Sequence, residues 1–140
     1  VIPSWKGQRV MATSGVDFES SLLQVLSSDE KLKSIVGDKI YMMKVPLGVK
    51  LPIIVCHRIS GNPANTISGY SGLEEIDLQI DCLAMTYKEV KDIAKAVRKA
   101  MPCTGAEWGA HLDHDQDLYN KESNAFRITM RYTVWYLEKE

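Results

Sequence analysis

The chain has 140 residues, one domain's worth, and at that length it can bury roughly 68% of the surface its unfolded form would expose. Apolar residues make up 45% and charged residues 25%, and the net charge of −1 lacks the basic surplus of a protein whose main task is gripping phosphates. Three cysteines (Cys56, Cys82 and Cys103) are odd in number and unpaired in spacing, so the expectation is a reducing compartment without a disulfide framework, and no apolar run reaches the ~18 residues that a membrane span needs.

Residues 1–15 show no periodicity and are read as an N-terminal extension ahead of a single domain over 16–140. Met11-Ala12-Thr13 looks like a native start with a segment placed before it. Val1 to Lys6 lacks the charged and apolar regions of a signal peptide, so none is expected. An ordered extension would imply docking, onto a neighbouring subunit or onto the domain itself.

Phe18, Leu22, Val25 and Leu26 recur at helical spacing and predict a helix over 17–27, with Asp17 as its N-cap. Ser28 to Lys31 opens a second, short helix carrying Leu32, Ile35 and Val36, and Gly37 is its expected C-cap. Strands are expected at Ile40–Met43 and Pro52–Ile59, separated by the loop signal Val45-Pro46-Leu47-Gly48. Ser60 to Gly72, rich in Gly, Ser, Asn and Pro, reads as a long polar loop.

From Leu73 to Ala84 the period is two. Ile76, Leu78, Ile80 and Cys82 form a buried face, and Glu75, Asp77, Gln79 and Asp81 an acidic, wet one. Thr86–Met101 predicts a helix with a capping box, Thr86 with Glu89, and one apolar stripe, Val90, Ile93, Ala94, Val97 and Met101. Pro102 stops it. Trp108–Tyr119 and Ala125–Leu137 read as a closing hairpin, and in the last strand Phe126 to Tyr136 alternate with Arg127, Thr129, Arg131 and Thr133. Blocks in this order predict an α+β fold: a single, largely antiparallel β-sheet with two to three helices packed on one face.

The chemistry-bearing residues assemble no catalytic set. His111, Asp113, Asp115 and Asp117 would share one strand face, and with His114 they suggest a divalent cation, but one strand sets ligands in a line rather than around an ion. A charged strand edge that discourages stray pairing explains them better. Cys56 and His57 are adjacent on a strand, so their side chains point to opposite faces, which opposes a nucleophile–base pair. Gly61, Gly69 and Gly72 lack the spacing of a phosphate loop. The basic helix face (Lys88, Lys91, Lys95, Arg98 and Lys99) reads as a solvated face diluted by Glu89 and Asp92. No catalytic residue, metal site or cofactor is expected.

One linear pattern remains. A short helix pair ends in Val36-Gly37-Asp38-Lys39-Ile40-Tyr41. A strand opens Leu51-Pro52-Ile53-Ile54-Val55. A glycine-rich stretch leads into Ile76-Asp77-Leu78-Gln79-Ile80-Asp81-Cys82, and Asp117-Leu118-Tyr119 precedes the final strand. In order and spacing this resembles the tail-completion, or tail-terminator, family of long-tailed phages and prophages, over roughly 17–137. The resemblance implies a virion structural protein, assembled in the host cytoplasm. It would form a ring, usually a hexamer, at the head-proximal end of the tail. The ring would cap the tail tube, stop its polymerisation and present a surface to the head connector, while genome DNA passes through the lumen. It implies no catalytic residues and no membrane.

Ring closure needs head-to-tail contacts. The expected interface residues are Asn62, Asn65 and Tyr70 from the polar stretch, the acidic Glu75, Asp77 and Asp81, and the basic Arg127 and Arg131. The acidic and basic sets either meet across subunits or pair across adjacent strands of one subunit. An acidic lumen would repel phosphates and let DNA slide. The competing readings are another head–tail connector or tail-tube subunit, a small metal-dependent enzyme using His111, Asp113 and His114, and a nucleic-acid-binding module, which the net charge disfavours.

Overall fold

The structure is a computed structural model that describes residues 17–66, 69–102 and 108–137; the N-terminal extension and Cys103 lie outside them. Helix α1 (Asp17–Ser28) buries Phe18, Leu22 and Leu26 at the predicted spacing. Asp17 is already helical, so the cap position falls at residue 16, outside the described residues. Asp29 caps helix α2 (Glu30–Val36), its carboxylate accepting from the Leu32 N–H at 3.0 Å. Gly37 closes α2 at φ 63°, a conformation that favours glycine, and its N–H donates to the Lys33 carbonyl at 3.0 Å.

Five strands follow: β1 (Ile40–Met42), β2 (Ile53–Thr66), β3 (Gly69–Ala84), β4 (Trp108–Asn120) and β5 (Ala125–Leu137). They form one sheet in the order β1-β2-β3-β5-β4. The β1–β2 pair is parallel and the rest are antiparallel. Helix α3 (Tyr87–Ala100) lies between β3 and β4 in the chain, and Thr86 Oγ1 accepts from the Glu89 N–H at 3.2 Å to cap it.

The polar stretch at 60–72 is not a loop. Its backbone continues β2 and β3, pairing from Ser60↔Asp77 to Ala64↔Leu73 and then, after a register shift, Asn65↔Tyr70 and Thr66↔Gly69. Ladder bonds come from the backbone, so a long antiparallel partner overrides the weak strand propensity of Gly, Ser and Asn. Pro63 is tolerated because β1 pairs with β2 only as far as Cys56, leaving the outer edge beyond it free of β1.

One face of the sheet holds the core. Ile54, Cys56, Ile76, Leu78, Ile80 and Cys82 meet Ile128, Met130, Tyr132 and Val134, and the helices close over them with Leu22, Leu32, Val90, Ile93 and Val97. Each such side chain gains roughly 1.5–3 kcal/mol on burial. Phe18 packs edge-on against Trp108 (5.2 Å between ring centres) and Tyr136 (5.6 Å), and Trp108 Nε1 donates to Ser21 Oγ at 2.8 Å. These contacts anchor α1 to the sheet and leave the opposite face as a flat surface of charged and polar side chains.

Candidate functional site

The open face is built from alternate residues of β3 and β5. Arg131 reaches diagonally across the ladder to Asp77 at 2.7 Å, and Arg127 to Asp81 at 2.8 Å. The acidic and basic sets therefore pair within one subunit. The two pairs differ in depth. Asp77 and Arg131 keep about a third of their side chains in water (38% and 32%), so the expected wet face holds there. Asp81 does not fit that expectation. It is 2% exposed, because Gln79 Nε2 (3.1 Å), His57 Nε2 (3.4 Å) and Arg127 converge on its carboxylate from three strands.

Cys56 sits directly behind this cluster on the helix side, with no exposed surface. Burial, reinforced by the Asp81 charge, pushes its thiol up to about 12, and burial also raises Cys82 well above the ordinary thiol range. His57 projects from the other face. The neighbours in sequence are thus separated by the sheet, and the thiol stays protonated.

Asn62 is opposite Glu75 and Asn65 is opposite Tyr70, so these three expected interface positions, Asn62, Asn65 and Tyr70, lie along the β2–β3 ribbon. Sequence reasoning missed the ion pair at its root. Arg58 Nη2 contacts Glu74 Oε2 at 2.6 Å while its Nε lies 4.0 Å from Glu19 Oε1 on α1, and the Arg58–Glu74 pair passes over Gly61, where any Cβ would overlap both side chains. The signal for it is faint: a glycine between a basic and an acidic residue of the same hairpin.

The His–Asp run of β4 is divided by a bulge. Leu112 pairs with Tyr132 but His114 pairs with Arg131, so Asp113 is the extra residue. Before the bulge, odd-numbered His111 is on the open face; after it, Asp115 and Asp117 are on the helix face. There Asp115 lies 3.4 Å from Arg98, and Asp117 lies 3.6 Å from Lys91 and accepts from the Tyr87 hydroxyl at 2.6 Å. The Tyr87 contact, followed by the Asp117 charge, raises the Lys91 pKa. The expected single face of His111, Asp113, Asp115 and Asp117 does not form, and among the described residues no group of three His, Cys, Asp or Glu side chains is arranged around a metal position.

Two hollows remain. One, of about 360 Å³, lies on the open face between the ribbon root and the bulge, where Glu75, Asp77, Asp113, His114 and Arg131 converge. The other, of about 430 Å³, lies between α2 and α3, bordered by Lys31, Lys95, Lys99, Asp29 and Asp92. Half-exposed Trp135 and Leu137 continue the open face toward the end of β5. Such a surface, flat, charged and edged with large apolar side chains, suits contact with another macromolecule better than enclosure of a small one. No helix among the described residues is long and apolar enough to cross a membrane.

Residues 20–137 match the family described as Tail completion protein gp17. No curated protein matches the chain. Among solved structures, a chain of the virion of a native gene transfer agent particle superimposes with a TM-score of 0.73 at 16% identity, covering 89% of this chain and 97% of the other. At that identity the likeness speaks to the fold.

Proposed function

Because the chain belongs to the family of Tail completion protein gp17, a structural tail-completion family, we propose that it works as one subunit of a closed ring, six-membered, at the head-proximal end of a tail. The ring caps the tail tube, stops its growth and offers its other side to the head connector. The role is non-catalytic and its partners are other virion proteins. Genome DNA passes through the lumen without specific binding, in keeping with a chain that has no basic surplus.

The observation that carries this reading is the two-sidedness of the subunit. Helices cover one face of the sheet, while the other presents the charged ladder, a hollow and the aromatic Trp135. Two unlike faces suit front-to-back contact, and a front-to-back operator whose rotation closes generates a ring. Trp and Arg are the residue types that anchor such contacts. The interface runs over Asn62, Asn65, Tyr70, Glu75, Asp77, Arg127 and Arg131; Asp81, expected there from the sequence, is buried beneath its own partners and holds Arg127 from within.

Native mass spectrometry and negative-stain imaging of the purified protein, alone and with tail tubes, test the reading. The expected result is a closed six-membered ring, alone or seated on tube ends. Unlimited stacking would instead indicate a tube subunit. A monomer that ignores tubes would overturn the ring.

A further inference from the structure

We propose that the acidic hollow on the open face receives the lysine corner of the α2–α3 groove from the next copy of the chain. The inference rests on the ring reading and names its electrostatic seam. In the hollow, three carboxylates face one guanidinium. Asp77 is held by Arg131 at 2.7 Å and Asp113 accepts the Thr133 hydroxyl at 2.7 Å, whereas Glu75 makes no ion pair among the described residues. Among the described residues, the hollow thus carries a surplus of negative charge.

The matching surplus lies on the far side of the molecule. Most cations of α3 are answered: Lys88 by Asp92 at 3.5 Å, Lys91 by Asp117 at 3.6 Å, Arg98 by Asp115 at 3.4 Å. The exceptions are Lys95 and Lys99, which with Lys31 of α2 border one groove, are all exposed, and make no ion pair among the described residues. Unpaired lysines usually do no more than keep a face solvated. Other charges without an ion pair among the described residues, such as Lys33, Lys44, Lys50, Lys121, Glu30, Asp38, Glu89 and Glu122, border neither hollow; Lys31, Lys95 and Lys99 gather on one groove of the helix layer, and Glu75 with Asp77 and Asp113 in a hollow on the opposite side of the sheet.

That placement selects the mode of association. A two-fold dimer through the open faces would set acidic hollow against acidic hollow, and like charges brought together at an interface cost several kcal/mol. Front-to-back contact sets hollow against lysines, fixes the register between subunits, and repeats with one operator.

The test uses three versions of the full chain: Glu75→Lys, Lys95→Glu with Lys99→Glu, and all three changes combined. All sites are on the surface, and thermal melts confirm that each version folds. Sedimentation velocity then gives the concentration for half-assembly at low and high salt, with tail tubes added if the unaltered chain is monomeric alone. Each reversed version is expected to need at least about tenfold more protein, and the combined version to return to within about threefold, because it restores opposite charges across the seam. Added salt should weaken the unaltered ring. If the reversed versions assemble as the unaltered chain does, or the combined version stays dispersed while melting normally, the seam is overturned and the ring stands. If the lysine changes abolish tube binding but not self-assembly, the groove faces the tube and the seam is again overturned. If the unaltered chain forms no ring in either setting, the ring reading itself fails.

Discussion

Arg127 and Arg131 are four residues apart on β5 and each meets an aspartate of β3, yet the two aspartates have very different access to water. Truncating Arg131 leaves Asp77 with solvent to turn to, so Arg131→Ala should cost no more than about 1 kcal/mol. Truncating Arg127 leaves the buried Asp81 carboxylate with a neutral amide and an imidazole, and Arg127→Ala should cost about 2 kcal/mol, the part-exposed guanidinium keeping the loss below that of a fully buried pair. Urea titration of both variants checks the order. The same cluster governs the alkaline limit. The Cys56 pKa is raised from 9.0 in the unfolded chain to about 12, so above pH 9 the unfolded state releases a proton that the folded state retains. Stability from this group is fully present below pH 9 and declines toward pH 12, by about 1.4 kcal/mol per pH unit per thiol. A Cys56→Ala, Cys82→Ala chain should be less stable at pH 7 but flatter between pH 9 and 11 by urea denaturation. The alternation in β3 identifies Asp81 as belonging to the polar face; its burial depends on His57, Gln79 and Arg127 closing round it, which no local pattern records.

At the scale of elements, β5 and α3 were legible because one period runs through most of each, and burial follows it from Ile128 to Tyr136 and from Val90 to Val97. The hairpin at 60–72 was not, since its composition reports local propensity while its conformation is set by a distant partner on β3. The β4 bulge left no trace either, because a single extra residue alters phase without altering composition. Its consequence is measurable. Deleting Asp113 would remove the extra residue, set His114 directly after Leu112, and leave Asp115, Asp117 and Tyr119 on the helix face. The links to Arg98, Lys91 and Tyr87 and the Tyr119–Phe126 ring contact at 4.7 Å should therefore be kept. The expected loss is about 1 kcal/mol, from straightening the strand and losing the Asp113 contacts, a midpoint lower by roughly 3–5 °C in a thermal melt. Asp113→Gly keeps the bulge and gives up the Thr133 hydrogen bond and the 4.0 Å approach to His111, so it should melt within about 2 °C of the unaltered chain. Equal losses in the two variants would assign the effect to the carboxylate and not to the bulge.

For the whole molecule, the ribbon at the end of β2 and β3 sets the question of partners. The described β3–β5 pairs end at Leu73↔Leu137 and the β1–β2 pairs at Met42↔Cys56, so past these points, among the described residues, the two strands pair only with each other. A two-stranded hairpin is marginally stable in water by itself and gains its order from a surface to pack on. Within the proposed ring that surface would be the adjoining subunit. The described core lies between the helices and the central strands, among residues 18–56 and 76–136. Replacing 65–72 with an Asn-Gly turn, directly after the Ala64↔Leu73 pair, should therefore leave the domain intact, with a melting midpoint within about 3 °C of the unaltered chain. The same change should abolish ring formation in native mass spectrometry and on tail tubes. Shortened subunits that still close into rings would show that the charged faces suffice for assembly and that the ribbon serves the tube or the connector instead. A shortened chain that loses its fold would mean that the ribbon stabilises its own subunit, and the assignment of Asn65 and Tyr70 to the interface would fall with it.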